Sequence, residues 1–131
     1  MATEVPVILD TCALLWLASG DKKLSRPTLK AIDAAPAVYV SAISGFEIGL
    51  KTSKGKLELS HPVQEWFALV MEHHGLTLLP LGLDVCIAAA KLPPVHDDPF
   101  DRFIIATAKL NDLPVVTTDH RFEEYGLTVL T

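Results

Sequence analysis

Four carboxylates stand at positions that packing alone does not jointly explain. Asp10 directly ends the apolar run VPVIL, and Asp119 directly follows PVVTT. In AISGFEIGL, Ile43, Phe46 and Leu50 mark a buried helical stripe, and Glu47 lies on it, four after Ile43 and three before Leu50. Asp101 stands in the same relation to Ile104, Ile105 and Ala108. Singly, each has a bland explanation. Aspartate at a strand–helix junction is a common helix cap, and an inward glutamate is more often salt-bridged than catalytic. Gathered in one place, four anions repel strongly unless divalent cations sit among them. Hard oxygen donors suit Mg²⁺ or Mn²⁺. One or two such ions can activate a water and stabilise the leaving oxygen of an in-line phosphodiester displacement.

Other chemistries lack their residues. His61, His73, His74, His96 and His120 form no HExxH pattern, and Cys12 and Cys86 have no nearby His or Cys partner for zinc. No GxSxG elbow, GxGxxG loop or GxxxxGK[ST] loop is present. In HDDPFDR, Asp98 before Pro99 reads first as a helix N-cap and second as a peripheral metal ligand, and Asp97 as a solvated charge. Lys51, Lys54 and Lys56 in KTSKGK form a basic cluster, either a solvated helix end or a phosphate contact.

The elements that must position the acids alternate along the chain. Strands are expected at 5–9, 37–40, 76–81, 114–118 and 127–130. Helices are expected in DTCALLWLAS, at 25–35 behind Ser25 and Pro27, from about Ile43, in VQEWFALVMEHHG up to Gly75, in LDVCIAAAKL and in DPFDRFIIATAKLN. HRFEEYG adds a short helical turn. Apolar strands separated by helices imply an α/β fold, a central parallel five-stranded sheet with helices on both faces. In such sheets ligands bind outside the carboxyl ends of the strands. Asp10 and Asp119 fall at that edge, and the helices carrying Glu47 and Asp101 begin there.

The totals agree with one domain over residues 1–131. Half the residues are hydrophobic, 21% are charged and the net charge is −5. That balance argues against sequence-blind nucleic-acid binding through a basic surface, though bound divalent ions can supply the missing positive charge. No apolar run approaches the roughly 20 residues that span a bilayer, and MATEVPVILD lacks the marks of a signal peptide. The two cysteines, both in apolar helical patterns, read as reduced thiols of a cytoplasmic protein. Trp16, Trp66, Phe67 and Phe103 read as core or dimer packing. Arg102 is expected to pair with Asp98 or another acid of the site.

VILDTCALLW, VSAISGFEIGLKTSKGKLEL, HDDPFDRFIIATA and VVTTDHRF together resemble the PIN-domain ribonucleases and, more narrowly, the VapC toxins of bacterial toxin–antitoxin pairs. The resemblance runs over essentially the whole chain. It implies an acidic quartet at Asp10, Glu47, Asp101 and Asp119, with Thr11, Ser44 and Thr117 supporting it. It also implies a Mg²⁺- or Mn²⁺-dependent endoribonuclease that cuts selected RNA, leaves 5′-phosphate and 3′-hydroxyl ends, and slows translation. A cognate antitoxin would silence it, binding along helices near the site and placing a basic side chain among the acids. A homodimer, and a larger toxin–antitoxin complex, follow from the same likeness. The alternatives are an inactive PIN-like module that binds protein or RNA, and a phosphatase acting on small esters. The latter disagrees with DTC after the first strand, where an aspartyl-nucleophile enzyme needs DxD.

Overall fold

The computed structural model describes residues 4–131. Five parallel strands, β1 (Val7–Leu9), β2 (Val38–Ser41), β3 (Leu76–Leu79), β4 (Val115–Val116) and β5 (Val129–Leu130), form one sheet in the order β3-β2-β1-β4-β5. Each strand is linked to the next through helical structure. These helices are α1 (Thr11–Ser19), α2 (Arg26–Ala34), α3 (Ala42–Ser53), α4 (Val63–His73), α5 (Leu83–Lys91) and α6 (Pro99–Asn111), with a 3-10 turn at His120–Tyr125.

The alternation of side chains along β1 divides the core in two. Val7 and Leu9 face one layer with Leu14, Leu24, Ile32, Ile48 and Trp66, so α1, α2 and α4 cover that side. Ile8 faces the other with Ile104, Ile105, Ala108 and Phe122, under α6 and the 3-10 turn. Trp16 and Phe67 pack against the first layer and Phe103 against the second, which is the packing role expected of them.

The strands are shorter than the apolar runs that encode them. Pro6, Pro80 and Pro114 lack an N–H for the ladder and stand at or beside strand ends. Helix starts follow their local chemistry closely. Ser25 caps α2, accepting from the Thr28 N–H with Pro27 in the first turn, and Gly75 takes φ +62° just past α4. The expected stripe on α3 needs correction. Phe46 is 58% exposed, lying edge-on to Phe100 at 5.8 Å between ring centroids. The buried face of α3 is instead Ile43, Ser44, Glu47 and Ile48. Cys12 is likewise exposed and Cys86 half-buried, both as free thiols.

Candidate active site

Asp10 ends β1 and caps α1. Its Oδ1 accepts from the Ala13 N–H at 2.7 Å, and the residue is 6% exposed. Burial pushes its carboxyl pKa up, the Thr117 hydroxyl beside it pulls the other way, and Glu47 and Asp119 add repulsion. Next to it, Thr11 Oγ1 and Ser44 Oγ share a hydrogen bond of 2.9 Å that ties the first turns of α1 and α3 together. Thr117 is buried and its Oγ1 accepts from the Asp119 N–H at 3.1 Å. One threonine thus touches the surroundings of both strand-end acids.

Glu47 is buried on α3, as its place on the helix implies. Lys51 Nζ donates to its Oε2 at 2.9 Å, while Oε1 has no hydrogen-bond partner among the described residues. An unpaired buried polar atom of this kind costs roughly 1–3 kcal/mol. Asp101, in the first turn of α6, is pushed up to about 7 by burial and then by repulsion from Asp98, Asp10, Glu47 and Asp119. The carboxylates gathered from β1, α3, α6 and the end of β4 therefore feel one another, as four acids at one sheet edge must.

Asp119 caps the 3-10 turn and is gripped by Arg121. Nε of Arg121 donates to Oδ1 at 3.0 Å and Nη2 to Oδ2 at 2.8 Å. This fork, followed by the 3-10 turn's N–H and His96, holds its carboxyl down at about 2. Asp98 is the N-cap of α6, its Oδ1 accepting from the N–H groups of Phe100 and Asp101 at 2.9 and 3.3 Å.

Arg102 departs from expectation. Among the described residues it pairs with no carboxylate; its guanidinium donates to the carbonyls of Ala89, Leu92, Pro93 and His96 at 2.7–3.1 Å. The reason is local. The C-terminal turn of α5 and the bend after it bring several carbonyls close together, and a planar five-donor group satisfies them at once.

Three residues of the site escape sequence reasoning. Lys51 was readable as the i+4 partner of Glu47, whereas Lys54 and Lys56 are solvated at the helix end. His96 carried no local signal, and Arg121 only its place two residues after Asp119. His96 is 1% exposed, with Nε2 at 2.9 Å from Asp119 Oδ2 and 3.1 Å from Asp101 Oδ2. Donor atoms of His96, Asp101 and Asp119 lie within 4.8 Å of one another, close enough to surround a cation.

A parallel sheet of this order, with acids at the carboxyl ends of two adjacent inner strands, β1 and β4, defines a class that the sequence comparison names. Residues 7–127 match the PIN domain, and the chain belongs to that family. Within it, the chain is 31% identical over 120 residues to Ribonuclease VapC22 of Mycobacterium tuberculosis, covering 91% of each protein. Similar solved structures include VapBC2 from Rickettsia felis bound to a DNA fragment of its promoter, at TM-score 0.71 and 14% identity over 95% of this chain and 96% of that one. A toxin–antitoxin complex from Klebsiella pneumoniae gives 0.65 and 21% over 95% and 96%, and DNA-bound VapBC from Salmonella typhimurium 0.64 and 18% over 98% and 97%. At these identities the structural likenesses bear on the fold.

Proposed function

We propose that the protein is a divalent-metal-dependent endoribonuclease of the VapC toxin type, with Asp10, Glu47, Asp101 and Asp119 holding Mg²⁺ or Mn²⁺. One observation carries this reading: four acids from separate elements lie near enough at the carboxyl edge of the sheet to repel one another, and Glu47 keeps a buried oxygen with no hydrogen-bond partner among the described residues. The donor set fits a hard cation, because every carboxylate offers oxygen and, although Lys51 and Arg121 each meet one acid, burial and mutual repulsion still raise the carboxyl pKa of Asp10 and Asp101. Kinship with a protein named as a ribonuclease supports RNA as the substrate.

When bound, such an ion supplies an activated water and neutralises the charge that builds on the phosphate. The residues of the chain prepare for it. The Ala13 N–H fixes the orientation of Asp10, and the Thr11–Ser44 hydrogen bond keeps the starts of α1 and α3 at a constant separation. Thr117 couples Asp10 to Asp119 through its hydroxyl. Lys51 and Arg121 add positive charge beside the acids on a chain of net charge −5, where an RNA backbone would approach. Asp98 serves its helix, since its Oδ1 already accepts two N–H groups.

The reading extends to partners. A cognate antitoxin is proposed to bind, in keeping with the toxin–antitoxin complex that shares the fold, and a second copy of the chain is proposed from the family resemblance alone. Among the described residues no helix is long and apolar enough to cross a membrane, and the proposed location is the cytoplasm.

The test is cleavage of total cellular RNA by antitoxin-free protein with Mg²⁺ or Mn²⁺, with EDTA, and with Asp10→Asn. Cleavage lost under both EDTA and the substitution, with 5′-phosphate ends on the products, is the expected result. Near-normal activity of the variant would displace the assigned centre, and 2′,3′-cyclic phosphate ends would defeat attack by water. A folded, metal-loaded protein that binds RNA without cutting it would point to an inactive PIN-like module instead.

A further inference from the structure

His96 is gripped on every side. Its backbone N–H donates to Tyr125 Oη at 2.7 Å, and that hydroxyl donates to the Pro93 carbonyl at 2.7 Å. Its own carbonyl accepts from Arg102 Nη1 at 2.9 Å, and its ring stands edge-on to Phe122 at 5.8 Å between centroids. The two ring nitrogens have distinct neighbours. The Asp98 N–H donates to Nδ1 at 3.2 Å, while Nε2 faces Asp119 Oδ2 at 2.9 Å and Asp101 Oδ2 at 3.1 Å.

A backbone amide can only donate, so Nδ1 must be the acceptor and the proton of a neutral ring lies on Nε2. A nitrogen that carries a proton has no lone pair to give a cation. The proximity of His96, Asp101 and Asp119 therefore describes two carboxylates and a hydrogen-bond donor, and not a mixed nitrogen–oxygen ligand set. We propose that His96 is a positioning residue of the metal centre: its Nε2–H holds Asp119 and keeps Asp101 against it, fixing the spacing of two oxygen ligands without binding the ion. The proposal rests on the reading of the four acids as a metal centre. It makes that centre an all-oxygen one, suited to hard ions.

Two measurements decide it. The first is the two-bond ¹H–¹⁵N spectrum of the histidine rings in metal-free and Mg²⁺-loaded protein. The Nε2–H tautomer of His96 is expected in both states; conversion to Nδ1–H on loading would show ligation and overturn the proposal. The second is calorimetric affinity for Mn²⁺ and for Ni²⁺ in wild type, His96→Leu and His96→Gln, with folding checked by the amide spectrum. Loss of a partner that orients metal ligands typically weakens binding by about 10- to 100-fold. His96→Leu should weaken both ions by similar factors, and His96→Gln, which keeps an N–H donor, should recover much of the Mn²⁺ affinity. A loss confined to Ni²⁺, or a folded Leu variant with wild-type Mn²⁺ affinity, would overturn the proposal alone. A wild type that binds neither Mg²⁺ nor Mn²⁺ would remove the metal-centre reading, and the proposal with it. Should the Leu variant fail to fold, the ring spectrum of wild type still decides.

Discussion

Lys51 Nζ lies 2.9 Å from Glu47 Oε2, one turn along the same helix, while Oε1 of that carboxylate has no hydrogen-bond partner among the described residues. Half of a buried charge is thus compensated from within the chain and half is open. The lysine side chain is 41% exposed, so solvent screens the pair and keeps its worth modest.

Replacing Lys51 by Met should therefore lower metal-free stability by about 1 kcal/mol, the low end for removing a partner from a buried carboxylate. Mn²⁺ should restore most of the loss, since an ion meets the same charge. Urea unfolding with EDTA and with Mn²⁺ measures both. Unchanged stability in EDTA would mean that Glu47 finds its compensation elsewhere.

Asp101 sets the pH response. Its folded value of about 7 stands above the ordinary 3.8, so the folded state holds this proton more tightly than the unfolded chain. Its contribution to stability is fully present below pH 3.8 and is lost as pH rises through about 7. Asp10 shifts in the same direction. Asp119, held at about 2, acts oppositely, and its contribution is lost only as pH falls from 3.8 towards 2. Between about pH 4 and 7 the metal-free protein should thus lose stability with rising pH. Asp101→Asn should exceed wild type towards pH 7 by about 1 kcal/mol, because it removes a partly buried carboxylate repelled by the other acids. Mn²⁺ should reverse the order, stabilising wild type more at the higher pH and the variant hardly at all. Thermal melts with EDTA or Mn²⁺ report this; a variant no more stable than wild type in EDTA at the higher pH would contradict it.

Arg102 joins four carbonyls around the end of α5, and one of them belongs to His96. Lysine keeps the charge and loses the fork. Arg102→Lys should cost roughly 2–3 kcal/mol, the range for a single charged hydrogen bond and its desolvated partner, because neighbouring bonds are not additive. The amides of residues 92–98 should lose hydrogen-exchange protection before those of the sheet. Equal loss everywhere would assign Arg102 to global stability and not to this loop.

The fold was legible because its signals are local. Ser25 with Pro27, Asp98 with Pro99, and Gly75 each announce a helix end by their own chemistry. Strand limits were less legible because apolar content runs on past the prolines that stop the ladder. The four acids were legible because a strand end and a helical period each place a residue without knowledge of the rest of the chain. Even so, the stripe used for Glu47 included Phe46, which faces solvent. His96, Arg121 and the true partners of Arg102 were not legible. His96 is defined by Asp119 and Tyr125, and Arg102 by carbonyls of the turn before it, groups brought near only after the chain has folded. Arg121 lies two residues from Asp119, and only the fork between them needs the folded backbone.

Strand β1 occupies the middle of the sheet, with β2 on one side and β4 on the other, so Ile8 must wait for Val115. Among the described residues no hairpin joins any pair of strands, and every ladder is non-local, the arrangement that forms slowly. Asp10 leaves the ribosome early, but the strand that seats Asp119 beside it comes more than a hundred residues later, as the Ile8–Val115 register shows. A nascent chain can therefore carry several of the acids and still possess no centre. The proposed centre cannot grow by increments: it needs β4 laid beside β1, and a cell making this protein has that interval in which to have a partner ready.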